Sequence, residues 1–128
     1  MPQATKQHLQ VEVVEDVAIV KFLDTEIREV FGEHMDVQEI GDQLYALVDG
    51  NGYNRLVLDF REVQFMASIM LGKLIGLKRK VQRLGGGIKL CRLSPTIREV
   101  FHVSALDRVF EIHDDEHGAL DAFAAQGA

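Results

Sequence analysis

The chain has 128 residues, of which 47% are hydrophobic and 27% charged, values close to those of ordinary globular proteins and far from those of disordered ones. Its net charge of −6 argues against a nucleic-acid-binding protein, because neutralising phosphates takes a concentration of lysine and arginine that the chain lacks. The length fits one compact domain with a hydrophobic core and leaves little room for a second.

The N-terminal segment and the cysteine count narrow the class of protein further. No apolar run approaches the ~20 residues needed to cross a bilayer, and the start, MPQATKQHLQ, lacks the basic and then apolar pattern of a signal peptide. The single cysteine, Cys91, excludes an internal disulfide. We therefore expect a soluble, cytoplasmic protein with a polar, disordered segment over residues 1–8 and a single domain over residues 9–128.

The first part of the domain is predicted to be a β-hairpin. Apolar residues alternate over 9–13 and then run continuously over 17–23, and Glu15 and Asp16 are expected to form the turn between the two strands. Residues 24–35 show neither a helical nor a strand period and are interpreted as a connection.

Helices and strands then alternate to the end of the chain. The predicted order is a helix beginning at Asp36, a strand at 56–60, a helix at about 68–84, a strand at 88–92, a short helix after Ser94, a strand at 109–112 and a final helix after Asp114. Strands separated by helices predict an α/β fold. We expect a mixed, mostly parallel β-sheet with about four helices and an N-terminal antiparallel hairpin.

The glycines are interpreted as structural. Gly85, Gly86 and Gly87 follow a helix, whereas a phosphate-binding loop precedes one, so they are expected to form a helix end and a turn. Gly72 and Gly76 are four residues apart on one helical face and predict close packing of that helix against the sheet.

No pattern of catalytic or metal-binding residues stands out. His113 and His117 have a spacing that brings two imidazoles together, but the acidic residues between them favour a solvated helix start over a zinc site. Cys91 lies among apolar strand residues and is expected to be an inert, buried thiol. The Gly-x-Ser-x-Gly turn of hydrolases does not occur. We expect no cofactor, no metal and no enzymatic activity.

One hydroxyl lies at a chemically suggestive place. The strand RLVLDF leads through a turn to Ser68, at the start of a predicted helix, where unpaired N–H groups and the helix dipole favour a phosphate. A serine held there can be modified by phosphorylation. The alternative is that Ser68 only caps the helix by accepting a backbone hydrogen bond.

Five segments occur in a telling order: LVLDF, VQFMAS, LGKLIGL, LGGGIKL and RLSPTIREVFHVSALDRVFEIHDDEHGAL. Together, from Leu56 to Phe123, they resemble the STAS domain, which bacterial anti-sigma factor antagonists share with the cytoplasmic tails of sulphate transporters. VQFMAS corresponds to the family's strand and "FMDS" turn, and the last segment to its "LSP" helix and C-terminal tail. The N-terminal strands and the first helix fit the same pattern more loosely.

The resemblance implies a function in signalling. In antagonists of this kind, the serine after "FMD" is phosphorylated by a kinase that is also the anti-sigma factor, and by position that serine is Ser68. The unphosphorylated antagonist binds the kinase and frees the sigma factor; the phosphorylated form lets go, and a phosphatase resets it. The expected partner-binding surface comprises Met66, Ala67, Ser68, Ile69 and Met70.

The motif departs from the family at three positions. Ala67 stands for the family's acid, Ile69 for a second Ser or Thr, and Met70 for the following Gly, so that the motif is more apolar than usual. A partner that reads the acid loses that contact. Asp24, in FLD, corresponds by position to an acid near the family's second strand and is included in the expected partner-binding surface.

Two other functions fit the sequence. The domain can be a constitutive scaffold or docking module, in which Ile69 and Met70 make a permanent hydrophobic contact without phosphorylation. It can also be a small-molecule or nucleotide-binding domain, since crevices at strand C-termini of α/β sheets often hold ligands, although no Gly-rich loop precedes a helix. The sequence leaves the oligomeric state open.

Overall fold

The computed structural model describes residues 6–28 and 36–126. The strands of this part of the chain are β1 (Leu9–Val14), β2 (Val17–Phe22), β3 (Glu26–Ile27), β4 (Arg55–Asp59), β5 (Phe65–Met66), β6 (Gly87–Cys91) and β7 (Glu111–His113). The helices are α1 (Asp36–Asp49), α2 (Ile69–Arg83), α3 (Pro95–Val103) and α4 (Glu116–Ala125), with a 3₁₀ turn at Leu106–Arg108.

Five of the strands form one sheet in the order β1-β2-β4-β6-β7. β1 and β2 are antiparallel, and the other neighbours are parallel, as the sequence predicts. The two-residue turn of the hairpin places Glu15 in the left-handed region, at φ 56°, the conformation that tight hairpin turns require. β3 and β5 form a separate parallel pair that the sequence analysis did not predict.

The helices begin within one residue of their predicted starts. α2 follows Ser68, and α3 follows Ser94, whose hydroxyl accepts a hydrogen bond from the Ile97 N–H at 3.2 Å. Asp115 caps α4 in the same way. α1 is described from Asp36, the predicted start of that helix. Among the described helices, none combines the length and the apolar character that crossing a bilayer requires.

The sheet is covered on both faces, as the apolar strand β4 predicts. Leu56, Leu58 and Phe60 point into the larger core, which packs under α1, α2 and α3. On the opposite face, a smaller cluster lies under α4: Val17, Ile19, Val57, Cys91, Ala119 and Phe123.

The packing of the helix glycines differs from the prediction. A Cβ on Gly76 would lie 2.4 Å from the Tyr45 hydroxyl, so this glycine allows α2 to approach α1 rather than the sheet. Gly72 faces no neighbouring atom within 4 Å. Gly86 is required for a different reason, because a Cβ there would lie 1.6 Å from the Asn54 carbonyl oxygen.

The N-terminal segment is ordered where the structure describes it. His8 is fully buried, with Nδ1 2.6 Å from an Asp24 oxygen and Nε2 2.7 Å from a Glu39 oxygen. Carboxylates only accept, so the two bonds coexist when both ring nitrogens donate. The prediction of disorder over residues 1–8 is therefore wrong at His8; residues 1–5 lie outside the described part of the chain.

A second buried acidic contact joins α4 to the sheet. Asp59, at the end of β4, and Glu116, at the start of α4, each have one buried carboxylate oxygen without a hydrogen-bond donor among the described residues. The nearest cations are too far away to donate a hydrogen bond: Arg92 is 3.8 Å from Asp59, and Lys21 is 3.7 Å from Glu116. A proton shared with Asp59, together with burial, raises the pKa of Glu116 above its ordinary value.

Replacing the buried imidazole tests its role as an anchor. We expect His8→Ala to lower the free energy of unfolding by about 2 kcal/mol, because it leaves Asp24 and Glu39 without their common donor. The measurement is urea-induced unfolding at neutral pH. His117→Ala is the matched control: its side chain is exposed, and it should change stability by less than about 0.5 kcal/mol. Equal stability of the two variants would contradict the anchor.

The Asp59–Glu116 contact predicts a pH dependence with a definite sign. The pKa of Glu116 is higher in the folded state than its unfolded value of 4.5, so the folded state binds more protons and its stability falls as pH rises above 4.5. In Glu116→Gln the amide donates to Asp59 at every pH. The variant's melting temperature relative to wild type should therefore increase between pH 4.5 and about pH 7.5.

The control for this measurement is Glu99→Gln, a neutralised glutamate that is exposed on α3. Its melting temperature should track that of the wild type across the same pH range. A Glu116→Gln curve that runs parallel to the wild-type curve would show that Glu116 does not share a proton with Asp59.

Candidate functional site

Ser68 lies between β5 and α2, directly before the first helical residue, Ile69. Its side chain is exposed, and its backbone is already helical, with φ −60° and ψ −29°. The hydroxyl makes no capping hydrogen bond, so the alternative in which Ser68 only caps the helix is wrong. The oxygen stands open to solvent at the beginning of α2.

The short β3–β5 ladder holds this residue in place. The Gln64 N–H donates to the Thr25 carbonyl and the Ala67 N–H donates to the Ile27 carbonyl, each at 2.7 Å. Both bonds cross from the segment before Ser68 to the segment after β2. The backbone is therefore fixed up to the residue that precedes the serine.

The two methionines of the motif anchor the segment around Ser68 in the hydrophobic core. Met66 and Met70, two residues before and two residues after Ser68, are both buried in the larger core. The expectation that they belong to a partner-binding surface is therefore wrong, because their side chains fill space between the sheet and the helices. Ala67 is half-buried, and Ile69 is 47% exposed.

The exposed surface beside Ser68 is an open groove of about 620 Å³ along the two-stranded sheet. We call it the β3–β5 groove; it is lined by Glu26, Arg28, Phe65, Ala67 and Ser68. Phe65 is 49% exposed, an unusual exposure for a large aromatic side chain. Glu26 and Arg28 form an ion pair within the groove. The groove thus combines an apolar wall, a neutralised charge pair and a free hydroxyl.

The first turn of α2 offers fewer free amides than an isolated helix end would. The Met70 N–H donates to the Ala67 carbonyl and the Leu71 N–H to the Ser68 carbonyl, each at 3.0 Å. These tight i→i−3 bonds leave the amides of Ser68 and Ile69 as those without an acceptor inside the helix. An anion at this helix end therefore receives limited help from the backbone.

The Asp24 carboxylate is bound by groups of its own chain. It is buried, and its two oxygens accept hydrogen bonds from Lys6 at 2.7 Å and from His8 at 2.6 Å. Burial alone would raise the pKa of Asp24, but the hydrogen bonds from Lys6 and His8 outweigh it and lower the pKa. The expectation that Asp24 contributes to the partner-binding surface is therefore wrong. Its role is to hold the chain at the start of β3.

Three residues of the groove were missed by the sequence analysis: Glu26, Arg28 and Phe65. The first two lie in the connection 24–35, which has no period to show that part of it pairs with β5. Phe65 gave no sequence signal of exposure, because aromatic residues are usually buried. Phe65 pairs with Glu26, an outward-facing residue of β3, so the exposure of Phe65 follows only once the pairing of β3 with β5 is known.

Other candidate chemistry lies elsewhere or is absent. Cys91 is buried on the α4 face, and burial raises the pKa of its thiol to about 12, which keeps it protonated. Within residues 6–28 and 36–126, no group of three or more histidine, cysteine or acidic side chains could hold a metal ion. His113 pairs with Glu111 and His117 with Asp121, so the two imidazoles serve separate contacts.

Comparison with known proteins extends the similarity to the N-terminal half. A family model of the STAS domain matches residues 8–119. The anti-sigma F factor antagonist of Paenibacillus polymyxa is 31% identical over 88 residues, which is 69% of this chain and 75% of that protein.

Solved structures agree with this match. The anti-sigma factor antagonist SpoIIAA in its unphosphorylated form superposes with a TM-score of 0.74 at 23% identity, over 91% of this chain and 96% of that one. The Bacillus cell fate determinant SpoIIAA in the phosphorylated form gives a TM-score of 0.64 at 23% identity, over 89% and 97%. At these identities the structures establish the shared fold. With the family match over most of its length, the chain belongs to the STAS domain family.

Proposed function

We propose that this protein is an anti-sigma factor antagonist that works by partner switching, with Ser68 as the phosphoacceptor. The observation that carries the proposal is the position of the Ser68 side chain. It is exposed, it makes no capping hydrogen bond, and it lines the open β3–β5 groove. The relatives named as anti-sigma factor antagonists support an anti-sigma factor as the partner. That this partner is also a serine kinase is what the family resemblance adds to the proposal. Such a protein binds and is modified; it has no catalytic site of its own.

The unmodified surface suits an apolar partner. Phe65 and Ile69 expose about half of their side chains on either side of Ser68, and Ala67 presents no charge. Large apolar side chains on a rigid backbone act as anchors when a partner supplies a matching pocket. Because Ala67 and Ile69 replace polar residues of the family motif, we infer a partner whose own contact surface is correspondingly apolar.

Phosphorylation would reverse this match. The Ser68 oxygen attacks the γ-phosphorus of ATP, the hydroxyl proton leaves to a base of the kinase, and ADP departs. The product carries nearly two negative charges where the partner had contacted an apolar surface. Desolvating that charge without a basic group on the partner is costly, so the complex dissociates.

The fold itself should tolerate the phosphate. The Ser68 hydroxyl makes no capping bond, so its modification removes none from the native structure. The positive end of α2 favours a negative group by roughly 0.3–1 kcal/mol. Binding and stability are therefore separable in this protein, which is the property that partner switching needs.

Incubation with ATP and an anti-sigma factor kinase of the same organism that binds the unmodified chain tests the proposal against the constitutive docking module. Intact-mass spectrometry should show one added phosphate, and fragmentation should assign it to Ser68. A complex that forms with the kinase while Ser68 stays unmodified would support the docking module instead. A thermal-shift screen with nucleotides tests the small-molecule alternative, for which we expect no shift.

A charge at Ser68 should weaken partner binding without unfolding the protein. We expect Ser68→Asp to reduce affinity for the kinase by about tenfold or more, since a buried charge opposes an apolar contact. Its melting temperature should stay within about 2 °C of wild type. The measurements are isothermal titration and thermal unfolding.

The matched control for this substitution is Thr96→Asp, which adds the same charge to the exposed first turn of α3. It should leave the affinity for the kinase unchanged. Equal affinities of Ser68→Asp and wild type would refute a switch at this position.

The apolar wall of the site should carry much of the binding energy. We expect Phe65→Ala and Ile69→Ala each to weaken kinase binding by about 1–2 kcal/mol, because each side chain loses apolar area that the complex would cover. Leu84→Ala is the control, since Leu84 is also exposed but lies at the far end of α2. If Leu84→Ala weakens binding as much as Ile69→Ala, the partner does not use the β3–β5 groove.

A further inference from the structure

The β3–β5 groove places a guanidinium next to Ser68. In the parallel ladder Ile27 is level with Met66. Arg28 directly follows the last residue of β3, and Ala67, the residue before Ser68, directly follows the last residue of β5. Arg28 and Ser68 line the same open groove. The two residues come from separate segments of the sequence, and only the ladder brings them together.

Arg28 is held by a contact that is easily exchanged. Its guanidinium pairs with Glu26, and the two side chains are 58% and 49% exposed. Exposed ion pairs contribute little to stability, because water screens them and two long side chains must be ordered to form them. A guanidinium also binds phosphate oxygens in a bidentate manner, and phosphoserine offers three oxygens and nearly two charges against the single charge of Glu26.

The helix end alone does not satisfy a phosphate here. The amides of Met70 and Leu71 already donate to carbonyls within the turn. The side chains of the first turn of α2, IMLG, bring no positive charge. A side-chain cation that binds a phosphate on Ser68 must therefore come from outside this turn, and the groove supplies one, Arg28.

We propose that Arg28 is the intramolecular receptor of phosphorylated Ser68: on modification its guanidinium leaves Glu26 and binds the phosphate. The proposal rests on the function proposed above, since it concerns the phosphorylated state of that same site. The exchange frees the Glu26 carboxylate in the groove. The neutral pair of the resting state becomes a surface with two separate negative groups, and both oppose the return of an apolar partner.

The phosphate itself can report this contact. Full-length protein carrying phosphoserine at position 68, installed during translation, is titrated by ³¹P NMR; the second ionisation of phosphoserine has an ordinary midpoint near pH 6. A bound guanidinium favours the dianion and lowers that midpoint. We expect Arg28→Gln to raise the midpoint by about 0.5 pH unit relative to the wild-type chain.

The control variant is Arg83→Gln, which removes the same charge from the exposed last turn of α2. Position 83 lies about 20 Å from the start of the helix at 1.5 Å per residue. At that distance, salt largely screens the interaction between an exposed charge and the phosphate. Its titration should coincide with that of wild type. Coincident midpoints for Arg28→Gln and Arg83→Gln would overturn the proposal.

Competition between Glu26 and the phosphate gives a second readout. Glu26→Gln should lower the midpoint, and it should lower it more with Arg28 present than in the Arg28→Gln background. Equal effects in both backgrounds would mean that Glu26 acts by charge alone and that Arg28 does not exchange partners.

This experiment needs no kinase, so its outcome is separate from that of the kinase assay. If Ser68 stays unmodified in the kinase assay, the proposed function is refuted, whatever the result of the NMR titration. If the kinase phosphorylates Ser68 but Arg28→Gln leaves the phosphate midpoint unchanged, only the proposal that Arg28 binds the phosphate is refuted. Thermal unfolding of Arg28→Gln, whose side chain is exposed, should match that of the wild type.

Discussion

Burial of Met66 and Met70 on either side of Ser68 is the constraint on which the site depends. The two side chains fill the core between the sheet and the helices, while the backbone between them must pass over the surface. The β3–β5 ladder fixes the backbone of Ala67, and the next residue, Ser68, is therefore held at the surface, exposed to solvent. Long, flexible methionine side chains fit such an irregular gap well. The apolar residues of the motif thus include two that stabilise the core, Met66 and Met70, and one that remains exposed, Ile69.

The groove depends in turn on a residue from the beginning of the domain. His8 joins Asp24 to Glu39 and so fixes the chain after β2 against α1. β3 begins two residues after Asp24, and the floor of the groove is β3. Asp24 therefore supports the site by fixing the backbone that leads into β3. A buried, fully bonded cluster of this kind holds its elements in one arrangement, because a missing member would leave a charge without a partner.

The proposed phosphorylation of Ser68 would change the charge of the site and leave the scaffold in place. At rest the groove holds a neutral ion pair and a neutral hydroxyl between two apolar side chains. A phosphate alters the electrostatics of this surface without removing a bond that the fold uses. SpoIIAA, solved in unphosphorylated and phosphorylated forms, shares the fold of this chain in both. A rigid platform with a modifiable hydroxyl is well suited to a partner that must be released without unfolding anything.

The sequence by itself determined the helices, the hairpin and the mostly parallel sheet, because these follow from local periods and caps such as Ser94 before α3. It also determined where Ser68 stands along the chain, since a strand, a turn and a helix start are all local signals. Only the tertiary structure decided which neighbours of Ser68 face outward. Met66 and Met70 resemble Phe65 and Ile69 in polarity, and the choice between core and surface was made by packing against the sheet. Likewise, Arg28 and Glu26 reach the site through a two-residue ladder too short to leave a period in the sequence, and His8 is ordered only because two distant carboxylates meet there.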